Sequence, residues 1–217
     1  MFAVIFEVQP KQARWNDYLA LAGLLRPELE KIDGFIDNER FSSRRRAGLI
    51  LSLSIWRDEK ALVRWRTLGA HHDAQQQGRS AILDDYHLRV GEIVADTAAP
   101  AGGSLPQQRF DETEIGAAKL VTISEIRAAD SPRDASAEKL PERLGLPSGR
   151  SGSIIQYEVF EGINDRSKLL LLAAWQDFVA GQGWRPNPSA GELRHRAVRI
   201  IRDYGMRDRR EAPQYYP

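Results

Sequence analysis

Apolar and polar positions along the chain fall into short alternating runs and longer stretches of helical spacing. Phe2 to Val8 is an apolar segment that carries Glu7 and is ended by Pro10, and it reads as a first strand. Trp15, Tyr18, Leu19, Ala22, Leu25, Leu29 and Ile32 then recur at helical spacing, so 15–32 reads as a helix, with Pro27 expected to kink or divide it. Gly34 releases the chain into FIDNERF, where Phe35, Asp37, Glu39 and Phe41 interleave with Ile36, Asn38 and Arg40 in strand fashion. The turn at 42–48 holds three consecutive arginines and leads into LILSLSIW, a strand with at least one buried face.

Asp58 is placed to cap a helix whose stripe is Ala61, Leu62, Trp65 and Leu68. Gly69 reads as a stop or kink. After it His71, Gln75 and Arg79 recur every fourth residue, which puts an imidazole, an amide and a guanidinium on one side of a second helical piece. Tyr86, Leu88 and Val90 alternate with His87, Arg89 and Gly91, a half-buried strand. The order strand, helix, strand, strand, helix, strand predicts an α+β fold, the split β-α-β unit of a ferredoxin-like domain with helices on one face of an antiparallel sheet.

Residues 95–105 (ADTAAPAGGSL) are small, Pro/Gly-rich and unpatterned, so a first domain at 1–96 and a linker at 97–116 are expected. The chain beyond that linker reads as a degenerate copy of the first domain. Glu39 and Glu158, Phe41 and Phe160, Trp56 and Trp175, and Trp65 and Trp184 are each 119 residues apart, an internal repeat. The segments KLVTISEIR, SIIQYEVFE, KLLLLAAW and RHRAVRIIRDYG become the strands of a second ferredoxin-like domain at 117–207. Its helices are expected to be short or irregular, because Pro132 and Pro141 break the first and Gly181, Gly183, Pro186 and Pro188 the second. Residues 208–217 form a polar tail, with Tyr215 and Tyr216 expected to dock.

Composition narrows the function classes. A net charge of +1 gives no basic stripe for nucleic acid, and the absence of cysteine removes disulfides, thiolate metal sites and a cysteine nucleophile. The chain has no GxGxxG after a strand, no HExxH and no GxSxG, and GLPSGRS at 145–151 is a residue short of a P-loop with Arg where Lys is needed. The first residues lack a signal-peptide pattern, and no apolar run approaches the roughly 18 residues of a membrane helix, so a cytoplasmic protein is expected.

His71 is the leading functional candidate, as a base or a ligand, against the plain alternative of a surface histidine. His72 points about 100° away on a helix and reads as solvated. Trp65 is a cavity wall or simply core. Arg79 meets a phenolate or carboxylate, or else pairs with Asp84 or Asp85. Trp56 and its copy Trp175 read as structural. Asn38 and Glu39 lie on opposite faces of their strand, and the copy of Glu39 at Glu158 suggests pairing in the fold.

The set Trp65, His71, Gln75, Gly78 and Arg79 followed by Tyr86 and Arg89, with GFIDNERF and LSLSIWRDE before it, resembles the antibiotic biosynthesis monooxygenase family of the dimeric α/β-barrel proteins. The resemblance implies two sheets packed face to face as an open barrel, here with the halves pairing within one chain, and a possible further homodimer. It implies oxygenation of a small electron-rich aromatic (a phenol, anthrone or quinol) by dioxygen without metal, flavin or haem. In that reading His71 is the base, Gln75 and Arg79 stabilise the anion, and Trp65, Tyr86 and Asn38 contact the substrate. Haem-degrading relatives use an Asn, a Trp and a His; Asn38, Trp65 and His71 echo that set incompletely, with a shorter Trp-to-His interval, which leaves haem as the alternative cofactor. A ligand-binding or stress-response module without turnover is the third reading, since the second copy lacks the His, Gln and Gly-Arg set.

Overall fold

Eight antiparallel strands close one barrel in the order β1-β3-β2-β6-β7-β5-β8-β4. In the computed structural model, which describes residues 1–99, 105–127, 138–147, 153–188 and 192–213, β1 (Phe2–Pro10), α1 (Trp15–Glu30), β2 (Phe35–Ser43), β3 (Ile50–Trp56), α2 (Glu59–Thr67), α3 (Gly69–Gln77) and β4 (Leu83–Asp96) form the first half. The second half contains β5 (Leu120–Arg127), α4 (Leu140–Arg143), β6 (Ile154–Gly162), β7 (Lys168–Trp175), α5 (Phe178–Gly183) and β8 (Leu193–Gly205). Tyr215, Tyr216, Pro132 and the end of the GLPSGRS stretch lie outside the described residues.

Each half contributes a four-stranded sheet, and the sheets join along two seams of unequal length. The β4–β8 seam runs from His87 opposite Gly205 to Asp96 opposite Arg196. It carries irregularities at Val90/Gly91 and Ile93/Ala95, and Gly91 is required there, because a Cβ would lie 2.4 Å from the Arg199 carbonyl oxygen. The β2–β6 seam pairs only Phe41, Ser42 and Ser43 with Gly162, Glu161 and Phe160. The barrel is thus completed within one chain.

Closure explains the strand patterns. Along β3, Leu51, Leu53 and Ile55 enter the lumen, where they pack with Ile5, Ile123, Leu172 and Val198 from both halves. The alternate residues face the helices: Trp56 packs with Phe2, Leu62 and Val90, and Ile50 with Val8 and Tyr18. In the second half the equivalent outward layer is Leu120, Val159, Leu171 and Trp175. A strand covered on both sides has few polar positions, which is why KLLLLAAW lacks clean alternation.

The repeat extends to its caps. Asp58 accepts a hydrogen bond from the Ala61 backbone N–H at 2.8 Å, and Asp177 accepts one from Ala180 at 2.6 Å. Glu39 and Glu158 each pair with a cation of the other half, Glu39 with Lys168 and Glu158 with Arg46.

Three local expectations need correction. Helix α1 runs unbroken through Pro27, because Pro27 and Gly23 both lie on its exposed side, where water can bond the carbonyl that loses its donor. The break between α2 and α3 falls at Leu68, which is extended (φ −63°, ψ 129°), and Gly69 already starts α3. Arg79 does not continue α3 but sits in a π-helical turn, Gly78–Ile82, which carries it off the fourfold stripe of His71 and Gln75.

Candidate functional site

The break at Leu68 folds the first turn of α3 back over the end of α2. His71 therefore stacks on Trp65, with ring centroids 4.2 Å apart and planes 20° from parallel. Its Nδ1 lies 3.1 Å from the Trp65 carbonyl oxygen. A carbonyl can only accept, so Nδ1 carries the proton and Nε2 is the bare nitrogen. The Gln75 amide, 3.4 Å from Nε2, is the donor available to it. Burial pushes the His71 pKa down to about 4, with the Trp65 carbonyl opposing and His72 adding to the shift, so the ring is neutral at pH 7. Trp65 itself packs against the apolar layer of Leu62, Val90 and Trp56.

The remaining candidates are more dispersed. Tyr86 belongs to the neighbouring apolar cluster with Val8, Tyr18 and Ile82, joined to the Trp65 cluster through Leu88. It packs on Phe6 at 5.7 Å, and its hydroxyl accepts from Arg209 of the C-terminal segment. Asn38 is held against β3, its amide donating to Ser52 Oγ at 3.1 Å and the Leu53 carbonyl at 3.2 Å. Among the described residues Arg79 makes no hydrogen bond or ion pair, with Asp84 and Asp85 or with His71 and Gln75. Trp65, His71 and Gln75 are therefore the compact group. His72, the neighbour read as solvated, bonds to Gln76 at 2.8 Å.

Two features escape a reading by sequence spacing. Arg40 lies beside the buried Tyr18 hydroxyl, whose pKa burial raises and Arg40 partly lowers, and Arg40 Nε is buried without a hydrogen-bond partner. The signal available was the strand face that Arg40 shares with Asn38. In the second half His195, from β8, meets Trp184 edge-on at 5.3 Å and shares a 2.8 Å hydrogen bond with Ser124 across the β5–β8 ladder. Burial also lowers the His195 pKa to about 4. A histidine on a strand 71 residues from its partner leaves no local spacing to read.

Among the described residues no cluster of three or more His, Cys, Asp or Glu could hold a metal ion. Among them too, no helix is long and apolar enough to cross a membrane.

Residues 1–77 match the family model described as antibiotic biosynthesis monooxygenase. A relative from Pyricularia oryzae, named jasmonate monooxygenase ABM, is 41% identical over 221 residues, which cover 100% of this chain and 99% of that protein. Among solved structures, an aldoxime dehydratase aligns with a TM-score of 0.55 at 13% identity over 92% of this chain and 81% of that one, a likeness of fold. The crystal structure of an antibiotic biosynthesis monooxygenase aligns at 16% identity over 42% of this chain and 95% of its own, with a TM-score of 0.38.

Proposed function

Because the chain belongs to the antibiotic biosynthesis monooxygenase family, we propose that the first half oxygenates a small organic substrate with dioxygen between α2–α3 and the sheet, without metal, flavin or haem. The observation that carries the reading is the neutral, partly buried His71 pinned between the Trp65 ring, the Trp65 carbonyl and Gln75. In this reading the bare Nε2 takes the proton of an acidic substrate hydroxyl or C–H. The resulting anion passes an electron to dioxygen, the two radicals combine to a peroxide that takes the proton back from His71, and loss of water with a second hydrogen of the same carbon leaves a carbonyl, so the product gains one oxygen and loses two hydrogens. The substrate supplies the electrons, and the protein supplies proton acceptance, orientation and dryness.

The low pKa of His71 sets a condition on this chemistry. Taking a proton from an ordinary phenol, with a pKa near 10, is uphill by about six pKa units for a base at about 4. The anion therefore needs cationic support. Arg79 is the expected source together with the Gln75 amide, and the partnerless Nε of Arg40 adds a second. Trp65, Tyr86 and Asn38 are proposed to contact the substrate.

For the substrate, the electron-rich aromatic reading rests on this chemistry. The second reading, jasmonate, is favoured by the full-length relative that bears its name. The test is oxygen uptake and product mass with an anthrone-type phenol and with jasmonate in parallel, on protein treated with chelator and checked for chromophores. Uptake with a gain of one oxygen in the product supports the proposal and identifies the class. Silence with both substrates removes it, and a Soret band on adding haem that disappears in His71→Ala replaces it with a haem-dependent reading.

A further inference from the structure

At one end of the lumen the apolar core gives way to charge. Glu7 and Glu158 are 5% exposed and Arg89 is 2% exposed. Glu7 and Glu158 line the smaller, and Arg89 both, of two cavities of about 320 and 550 Å³, which share Arg46, Arg89, Gln156 and Ala174 as lining. Both halves build the chamber. Arg46, from the β2–β3 turn, bridges Glu7 at 2.9 Å and Glu158 at 2.8 Å.

Arg89 donates Nη2 to His87 Nδ1 at 3.0 Å, so that nitrogen accepts, and His87 Nε2–H donates to Asp203 at 2.5 Å. The other Arg89 nitrogens lie 3.4 Å from Glu7 and 3.6 Å from Asp203. These are charge contacts that complete no hydrogen bond, and both Nη1 and Nε are buried without a hydrogen-bond partner.

The repeat supplies a control at the other end of the barrel. Glu125 faces Arg194 there as Glu7 faces His87, and Arg196 faces Asp96 as Arg89 faces Asp203. Arg194 holds Asp96 with bonds of 3.1 and 2.7 Å, Arg196 bonds Glu125, and Lys168 bonds Glu39. Three acids meet three cations, and Nε is the one buried Arg196 nitrogen without a hydrogen-bond partner among the described residues. At the first end His87 stands where Arg194 would be, and around the two cavities Glu7, Asp85, Glu158, Asp203 and Asp208 face Arg45, Arg46, Arg89 and Arg207, one acid more than there are arginines.

We propose that this chamber, whose larger cavity Tyr86 borders but His71, Trp65 and Gln75 do not, is a second small-molecule site, and that it takes a neutral carbonyl compound such as a ketone or ester. The carbonyl oxygen adds no charge and accepts from the unfilled N–H groups of Arg89 once the guanidinium turns them from Glu7 and Asp203 toward the cavity. A carboxylate would deepen the negative excess, and an ammonium would leave the arginine donors unfilled.

The probes are methyl benzoate, benzoate and benzylammonium, titrated onto the full chain and followed by saturation-transfer NMR. Gln156 is exposed and lines both cavities, so Gln156→Trp plugs the chamber without touching the charge network. Methyl benzoate should bind the unmodified protein and His71→Ala alike, bind about tenfold more weakly to Gln156→Trp, and outcompete both charged probes. The proposal falls if the ester does not bind, if Gln156→Trp leaves its binding unchanged, if His71→Ala removes it, or if either ion binds better. Arg89→Gln should abolish ester binding, and should that variant misfold, the Gln156→Trp comparison still decides.

Discussion

The two halves start from the same frame and diverge after one residue type. Trp65 lies in the last turn of an aspartate-capped helix and Trp184 directly follows one, yet Trp65 lies under His71 from a nine-residue α3, whereas Trp184 donates its indole N–H to the Gly145 carbonyl at 3.1 Å and meets His195 from the sheet. The repeat therefore conserves the barrel and varies the helix layer. Where Gly181, Gly183, Pro186 and Pro188 replace helix formers, the layer that could carry an imidazole over the sheet is lost. Function built on helices can diverge between halves, while the apolar middle of the lumen is built by both.

The largest effects should fall on what the halves share. Trp56 and Trp175 are fully buried, with indole N–H groups bonded to Ser54 and Thr122, each at 2.9 Å. Trp56→Ala and Trp175→Ala should each cost about 3–5 kcal/mol in urea unfolding. A small loss for Trp175→Ala alone would break the equivalence of the halves.

Acidity should next affect both halves alike. His71 and His195 have pKa values lowered from 6.5 to about 4. Between those values the unfolded chain binds a proton on each ring that the folded chain refuses. Stability should therefore be full above about pH 6.5, decline as pH falls through that window, and lose nothing further from these rings below about pH 4. His71→Asn and His195→Asn should each flatten the decline in melting temperature between pH 7 and 4.5; if only one does, the halves do not share this response to acid.

The helix caps sharpen the contrast. Asp58→Ala and Asp177→Ala should each cost about 1 kcal/mol. Only Asp58→Ala should also slow turnover, because α2 carries Trp65; equal turnover in the two variants would detach the chemistry from α2. The smallest effect is expected at the cross-half pair, where Glu39→Gln should cost about 1 kcal/mol or less given its partial exposure. A much larger loss would make that bridge a principal tie between the sheets.

The barrel was legible because β2, β3, β6 and β7 keep their tryptophan, phenylalanine and glutamate positions at one offset. Trp65, His71 and Gln75 were legible as a group because they lie within eleven residues on consecutive turns. The π-helical turn was not, since a helix spacing of four continues smoothly through Gly78 in sequence while the backbone widens there. Nor did the pattern around Pro27 reveal that its lost hydrogen bond would face water. The charged end of the lumen was marked only by Glu7 inside an apolar strand, because its partners Arg89, Glu158 and Asp203 come together only when the barrel closes.

The central claim is that oxygenation belongs to the first half alone. Its most direct test is the initial rate of oxygen uptake, with jasmonate and with an anthrone-type phenol, for the unmodified protein, His71→Ala and His195→Ala. The account predicts that His71→Ala loses about a hundredfold or more while His195→Ala stays within a factor of a few. Full turnover in His71→Ala, or its loss in His195→Ala, would contradict it.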